Sequence, residues 1–343
     1  MRRFLATCIA VLLCLAVAQP GSAAESYKVV KRANVGGTGG YDYVYADVAG
    51  RRLYVARTGQ TPRMTVYNLD TFRPVGEIPG TSSHGAVVDS ESNHGFISSK
   101  PILMFDSETL MPIKTIAVQG NPDGMLFDPI DQQTYVLSHV APHVTVINTK
   151  DGSVLGTIDI GGMPEQAASD GKGYMYVDVE NKANIAVIDT KMLRVVAHYD
   201  LAGKGGTCAG LALGAKNHIL FSACRNPANM VILNANDGTI ITTLPLGAGT
   251  DGATFNPNTM EAFSSQRDGT LTIIKEKSRT NFIVEQPVQT MIGARTSTLD
   301  TKTNRVILIA AEFGPPISPA QPGGHAGRGQ IVPHSFTILA VGR

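Results

Sequence analysis

Apolar and polar positions fall into one phrase that recurs along the chain. Its clearest copy is NIAVIDTKM at 184–192, a short apolar strand halted by Asp-Thr. Related copies are RMTVYNLDT (63–71), PILMFDSET (101–109), HVTVINTKD (143–151), NMVILNAND (229–237), a degraded TLTIIKEKS (270–278) and SFTILAVGR (335–343). Each predicts a strand that ends in a tight turn. The polar column Asn68, Asp106, Asn148, Asp189 and Asn234 fits that reading, because such side chains hydrogen-bond their own backbone and start turns.

Aligning these strands brings the flanking text into register. Units begin near Tyr41, Thr81, Asn121, Met163, Gly206, Thr250 and Ala294, spaced 40 to 44 residues apart. Within a unit, a first strand (YVYAD at 43–47, MLFDP at 125–129) leads through a polar turn to a second (RLYVAR at 52–57, TYVLSH at 134–139). The phrase above is the third, and a fourth follows, such as RVVAHYDL at 194–201. Four short strands at a period in the low forties predict a propeller blade. The seventh unit runs out after its third strand at Arg343, and YKVVKRANVGG (27–37) reads like the missing fourth. The expected fold is therefore all-β, a seven-bladed β-propeller closed by the N-terminal strand pairing in the C-terminal blade. Closure avoids a long unpaired sheet edge.

The second and third strands, LYVART…MTVYNLDT, YVLSHV…VTVINTKD and YVDVEN…IAVIDTKM, resemble the YVTN-type repeat of the YncE-like seven-bladed propellers over essentially all of 27–343. The resemblance implies the fold and an exported binding protein, with lactone-processing enzymes and lyases among the related propellers. It brings no catalytic residues with it.

Residues 1–24 read as an export signal: Arg2 and Arg3, an apolar run from Phe4 to Ala18, then Ser22-Ala23-Ala24 for cleavage. The expected domains are a signal peptide, 1–24, and one propeller, 25–343, in the periplasm or secreted. No other apolar run is long enough to span a bilayer. The formal charge is +1 with the signal, and losing two arginines makes it −1. A chain so near neutrality has no global field to hold nucleic acid. There is no Trp for base stacking either, so nucleic acid is not an expected partner. Of four cysteines, only Cys208 and Cys224 remain in the mature chain, directly opposite each other on one hairpin. That placement in an oxidising compartment predicts a disulfide.

The first strand of each blade should line the central channel. Counting five residues back from the Asp, Asn or Gly that ends it gives Asp42, His84, Asp123, Glu165, Ala209, Asp251 and Arg295. Six of these inner-rim positions are ionisable. They form either a solvated strand start or a ligand site, and the carboxylates would suit Ca²⁺ or Mg²⁺. The ends of the second strands add an outer rim: Arg57, Lys100, His139, Glu180, Arg225, Arg267 and Glu312. Arg57, Lys100, His139, Arg225 and Arg267 are its candidate ligand-binding residues, on a charged loop surface or facing an anionic ligand. Histidines gather on this face, but neither HxxxH nor CxxCH spacing is present. A Pro- and Gly-rich stretch, 312–334, interrupts blade seven and carries His325 and Arg328, as a lid or as an insertion without a role.

The leading expectation is a binding or scaffolding propeller, a monomer, that recognises a small molecule or protein at its top face. The alternative is a periplasmic lactone hydrolase or lyase using the inner-rim acids and His84. No P-loop or dinucleotide fingerprint occurs, and no Ser-His-Asp order can be read.

Overall fold

The computed structural model describes residues 25–82, 84–315 and 329–343. The predicted signal and the span with His325 and Arg328 lie outside them. Twenty-eight strands form seven four-stranded antiparallel sheets among the described residues. Six sheets take their strands in chain order. The seventh joins Ser297–Asp300, Arg305–Ala310 and Thr337–Gly342 to the N-terminal strand Lys28–Asn34. Lys28 stands opposite Gly342 and Asn34 opposite Thr337. The first strands of successive blades touch one another all the way round, from Gly40–Asp47 back to itself through Ser297–Asp300. The protein is a closed seven-bladed propeller.

Local chemistry accounts for the strands. The side chain of Asn68 accepts hydrogen bonds from the Asp70 and Thr71 amides, at 3.2 and 2.8 Å. Asp106 accepts from Glu108 and Thr109, and Asp189 from Lys191 and Met192. Each turn thereby satisfies backbone donors that leave the ladder. Between blades, apolar faces interleave: Tyr54, Met64, Val66 and Ile78 of blade one pack on Val88, Ile97 and Phe105 of blade two. At about 25 cal/mol per Å² of apolar surface, these interfaces supply the main driving force. First strands also approach backbone to backbone. A Cβ on Gly210 would lie 2.7 Å from the carbonyl carbon of Gly252 in the next blade.

Two devices lock the ring shut. Arg51 of blade one donates to both carboxylate oxygens of Asp300 in blade seven, at 2.9 and 2.8 Å, and also pairs with Asp70. Where the two ends of the chain meet, the Tyr27 hydroxyl donates to Glu261 of blade six at 2.5 Å, and Arg343 pairs with the same carboxylate. Cys208 and Cys224 are buried, paired across their hairpin and joined in a disulfide. No helix among the described residues is long and apolar enough to cross a membrane.

Candidate functional site

The start of the first strand is irregular in five blades, and the irregularity aims the rim. In blade one Tyr41 pairs with Arg57 and Val44 with Val55, so Asp42 and Tyr43 together oppose Ala56 alone. The same two-against-one count holds Asp123 and Gly124 in blade three, and Glu165 and Gln166 in blade four. In blades five and six a single extra residue, Ala209 or Asp251, sits in the break. β-Bulges of this kind bend a strand and redirect a side chain. Here they bring Asp42, Asp123, Glu165 and Asp251 to the channel mouth, where His84 and Arg295 arrive from blades without a bulge. Beneath the mouth lies a cavity of about 210 Å³ lined by Tyr43, Gly85, Gly124, Glu165, Gln166 and Thr254 among others.

The redirected side chains meet in two arcs that share Asp42. Along one arc, His84 Nδ1 is 2.6 Å from Asp42 and 3.2 Å from Asp123. His139 Nε2 is 3.1 Å from the other oxygen of Asp123 and 3.7 Å from Glu165. Tyr43 donates to the second oxygen of Glu165 at 3.2 Å. Along the other arc, Arg295 lies 3.6 Å from Asp42 and pairs with Asp251. Asp251 also pairs with Arg225, which reaches Glu180 at 2.7 Å. All seven blades contribute. Blade five offers only Ala209 on its first strand, and Arg225 from its second strand fills the place.

Crowding shifts the titrations. The Asp42 carboxylate raises the His84 imidazole, against the opposing effect of burial. Asp123, with help from Glu165, pushes His139 up to about 9. Burial pushes the Glu165 carboxyl up to about 8, and the nearby charges of Asp123 and Glu180 add to it. Burial and then Glu165 hold the Tyr43 hydroxyl far above its ordinary range. Crowding thus favours the protonated form of His84, His139 and Glu165 alike.

Asp42, His84, Asp123, Glu165, Asp251 and Arg295 of the expected inner rim are thus brought together, joined by His139 and Arg225 of the outer rim. Arg57 does not belong with them. It is 1% exposed, its guanidinium lies 3.5 Å from the centre of the Phe336 ring, and it donates to the carbonyl of Thr38 at 3.2 Å. Arg57 is a packing residue because burial in blade one leaves it no opening to the mouth, and the same burial lowers it to about 10. Lys100 turns to the carbonyl of Gly120, and Arg267 is exposed on its loop. Sequence reasoning put Tyr43 near the top face only as an aromatic, without a role in the site, and missed Gln166. Gln166 Oε1 accepts from the amides of Leu211 and Ala253, at 3.0 and 2.9 Å, tying blades four, five and six together. Their signal was adjacency to a rim acid, which is visible only once the bulge is known.

No protein-family model matches this chain, and no curated protein does. Among solved structures it is similar to the structure of U3-55K, with a TM-score of 0.68 and 10% identity, over 91% of this chain and 98% of that one. Likeness at that identity speaks of the fold alone. Fold and site together define a seven-bladed propeller whose channel mouth is ringed by ionisable side chains.

Proposed function

We propose that this chain is an exported propeller of the YVTN kind whose work is recognition, and that it binds a small ligand or partner at the top-face channel mouth. The observation that carries the reading is the pair of arcs through Asp42: ionisable side chains from all seven blades, converging on one opening. Held by neighbours rather than by water, they are pre-ordered, so a ligand of matching charge meets them with little entropy left to lose. Acidic and basic side chains set side by side favour a ligand that itself carries both signs, or a carboxylate set against Arg225 and Arg295. The buried Cys208–Cys224 disulfide supports the oxidising address.

The test is a thermal-shift screen of the mature protein against amino acids, sugar acids and small dicarboxylates. A hit should be lost in Arg225→Ala and retained in Lys100→Ala. A screen without hits, or hits indifferent to Arg225, would count against recognition at the mouth.

One observation favours a second reading, an enzyme of the lactone-hydrolase or lyase type. His84 is held by Asp42 at 2.6 Å and its side chain is 41% exposed, as a base oriented by a carboxylate would be. A lactone and ester panel in which wild type turns over substrate and His84→Ala does not would establish it.

A further inference from the structure

The first arc is built more like a set of metal ligands than like a chain of ion pairs. His139 Nε2 is shut off from solvent and has no hydrogen-bond partner, although Asp123 Oδ2 is 3.1 Å away. Glu165 Oε1 stands 3.7 Å from the same nitrogen. The donor atoms of Asp123, His139 and Glu165 all lie within 4.8 Å of one another. A charged hydrogen bond would draw N and O to about 2.7–2.9 Å. Donors around a common ion with bonds of about 2.0–2.2 Å stand about 3.0–3.5 Å apart, whether the ion is octahedral or tetrahedral. Of the observed separations, 3.1 Å to Asp123 lies within that range and 3.7 Å to Glu165 lies just above it.

The remaining oxygen of each carboxylate is already engaged. Asp123 Oδ1 faces His84 Nδ1 at 3.2 Å, and His84 is in turn held by Asp42. Glu165 Oε2 accepts from Tyr43. Both carboxylates are therefore steered by outer partners so that one oxygen faces His139 Nε2, the arrangement that orients metal ligands. The neighbouring trio of Asp42, His84 and Asp123 also stands close together. It is the poorer set, because His84 Nδ1 is already taken by Asp42 at 2.6 Å.

We propose that His139 Nε2, Asp123 Oδ2 and Glu165 Oε1 form a three-ligand site for a borderline divalent transition-metal ion of the zinc or manganese kind, open towards the channel mouth. The imidazole is what separates this class from the Ca²⁺ or Mg²⁺ that carboxylates alone suggest. Three protein ligands leave coordination positions for a molecule entering from outside. The inference deepens the recognition reading: the metal would be the point at which a carboxylate or hydroxyl ligand is held.

The test uses the mature protein, stripped with a chelator and dialysed, with the metal salts alone as probes. Titration with zinc and with manganese chloride, followed by elemental analysis, should show one equivalent bound per chain and a raised melting temperature. Calcium and magnesium should bind at least tenfold more weakly. His139→Ala and Glu165→Gln should each weaken zinc or manganese binding at least tenfold. His143→Ala, whose imidazole sits on Asp159 at 2.6 Å, should bind as wild type does. Should His139→Ala fold poorly, His139→Gln, judged against its own metal-free melting curve, takes its place. No uptake by wild type, equal binding of calcium, or unchanged affinity in the His139 and Glu165 variants would each overturn the site. Metal uptake without any organic hit would leave the site standing and remove recognition. Organic binding that survives in stripped protein without metal uptake would do the reverse.

Discussion

Replacing Asp251 by asparagine probes whether the mouth is a rigid circuit or a loose collection of charges. The change keeps volume and removes the one carboxylate shared by Arg225 and Arg295. Arg225 retains Glu180 at 2.7 Å and the Thr250 carbonyl at 2.9 Å. Among the described residues Arg295 retains Asp42 at 3.6 Å, and its buried Nε has no partner there. The loss therefore falls on Arg295. Removing one member of a buried pair costs about 3–5 kcal/mol. The side chains of Arg225 and Arg295 are 27% and 19% exposed, and screening at that exposure brings the expectation to about 2–3 kcal/mol. In a domain of this size that is a fall of about 3–5 °C in Tm. Circular dichroism melts and urea unfolding measure it, at low salt and at about 0.5 M, where the exposed part of the effect shrinks. Adding Arg295→Met removes the stranded cation and should restore at least half of the loss, since adjacent groups couple. A single variant within about 0.5 kcal/mol of wild type, or a double variant no better than the single, would refute the reasoning. The mouth would then be solvent-screened, and pre-ordering could not explain binding there.

Other consequences are as direct. The Cys208–Cys224 bridge closes a loop with a sequence separation of 16, so Cys208→Ser with Cys224→Ser should cost about 3 kcal/mol in urea unfolding; an unchanged midpoint would contradict this. Burial works to raise the Asp300 carboxyl, but hydrogen bonds from Arg51 and Thr303 outweigh it and leave it below its ordinary value. A depressed carboxyl contributes stability above its unfolded pKa of about 4 and loses it as pH falls through the folded value. The gap between wild type and Arg51→Ala should therefore be about 3 kcal/mol at neutral pH and close in acid, and a gap independent of pH would be inconsistent with the pairing. Removing residues 25–36 strips the partner from Thr337–Gly342 and exposes a sheet edge. Self-association in size-exclusion chromatography with light scattering is the expected result, against a well-behaved monomer if closure is unimportant.

The strands and their turns were legible because their causes are local. Asn68, Asp106 and Asp189 act on amides two or three residues away, so their spacing can be read straight from the chain. The inner rim was legible at one remove: the turn after the first strand fixes where that strand begins, and counting back reaches Asp42, Asp123, Glu165 and Asp251. The outer rim was not. Whether a cationic side chain at the end of a second strand reaches the mouth depends on the adjacent blade. Arg57 and Arg225 occupy equivalent positions, yet Arg57 stacks on Phe336 of the adjacent blade, whereas Arg225 pairs with Asp251 of its own neighbour. No local pattern distinguishes them.

What periodicity hides most completely is the bulge, and the bulge is what makes the mouth a site. In an unbroken strand successive side chains point to opposite faces, so Asp42 and Tyr43 could not both serve the channel, nor could Glu165 and Gln166. Two residues against one relax that rule. Asp42 meets His84 and Arg295 while Tyr43 holds Glu165, and Glu165 faces His139 while Gln166 bridges the next two blades. The extra residue costs a rung of the ladder in each blade, a loss the remaining strands can carry. In exchange blades one and four each place two polar side chains, Asp42 with Tyr43 and Glu165 with Gln166, where alternation would allow one. Bulges in five blades, each at the same rung beside the mouth, are difficult to attribute to strand stability, because they weaken it. They follow if the first strand has been shaped to present side chains to something that enters from above.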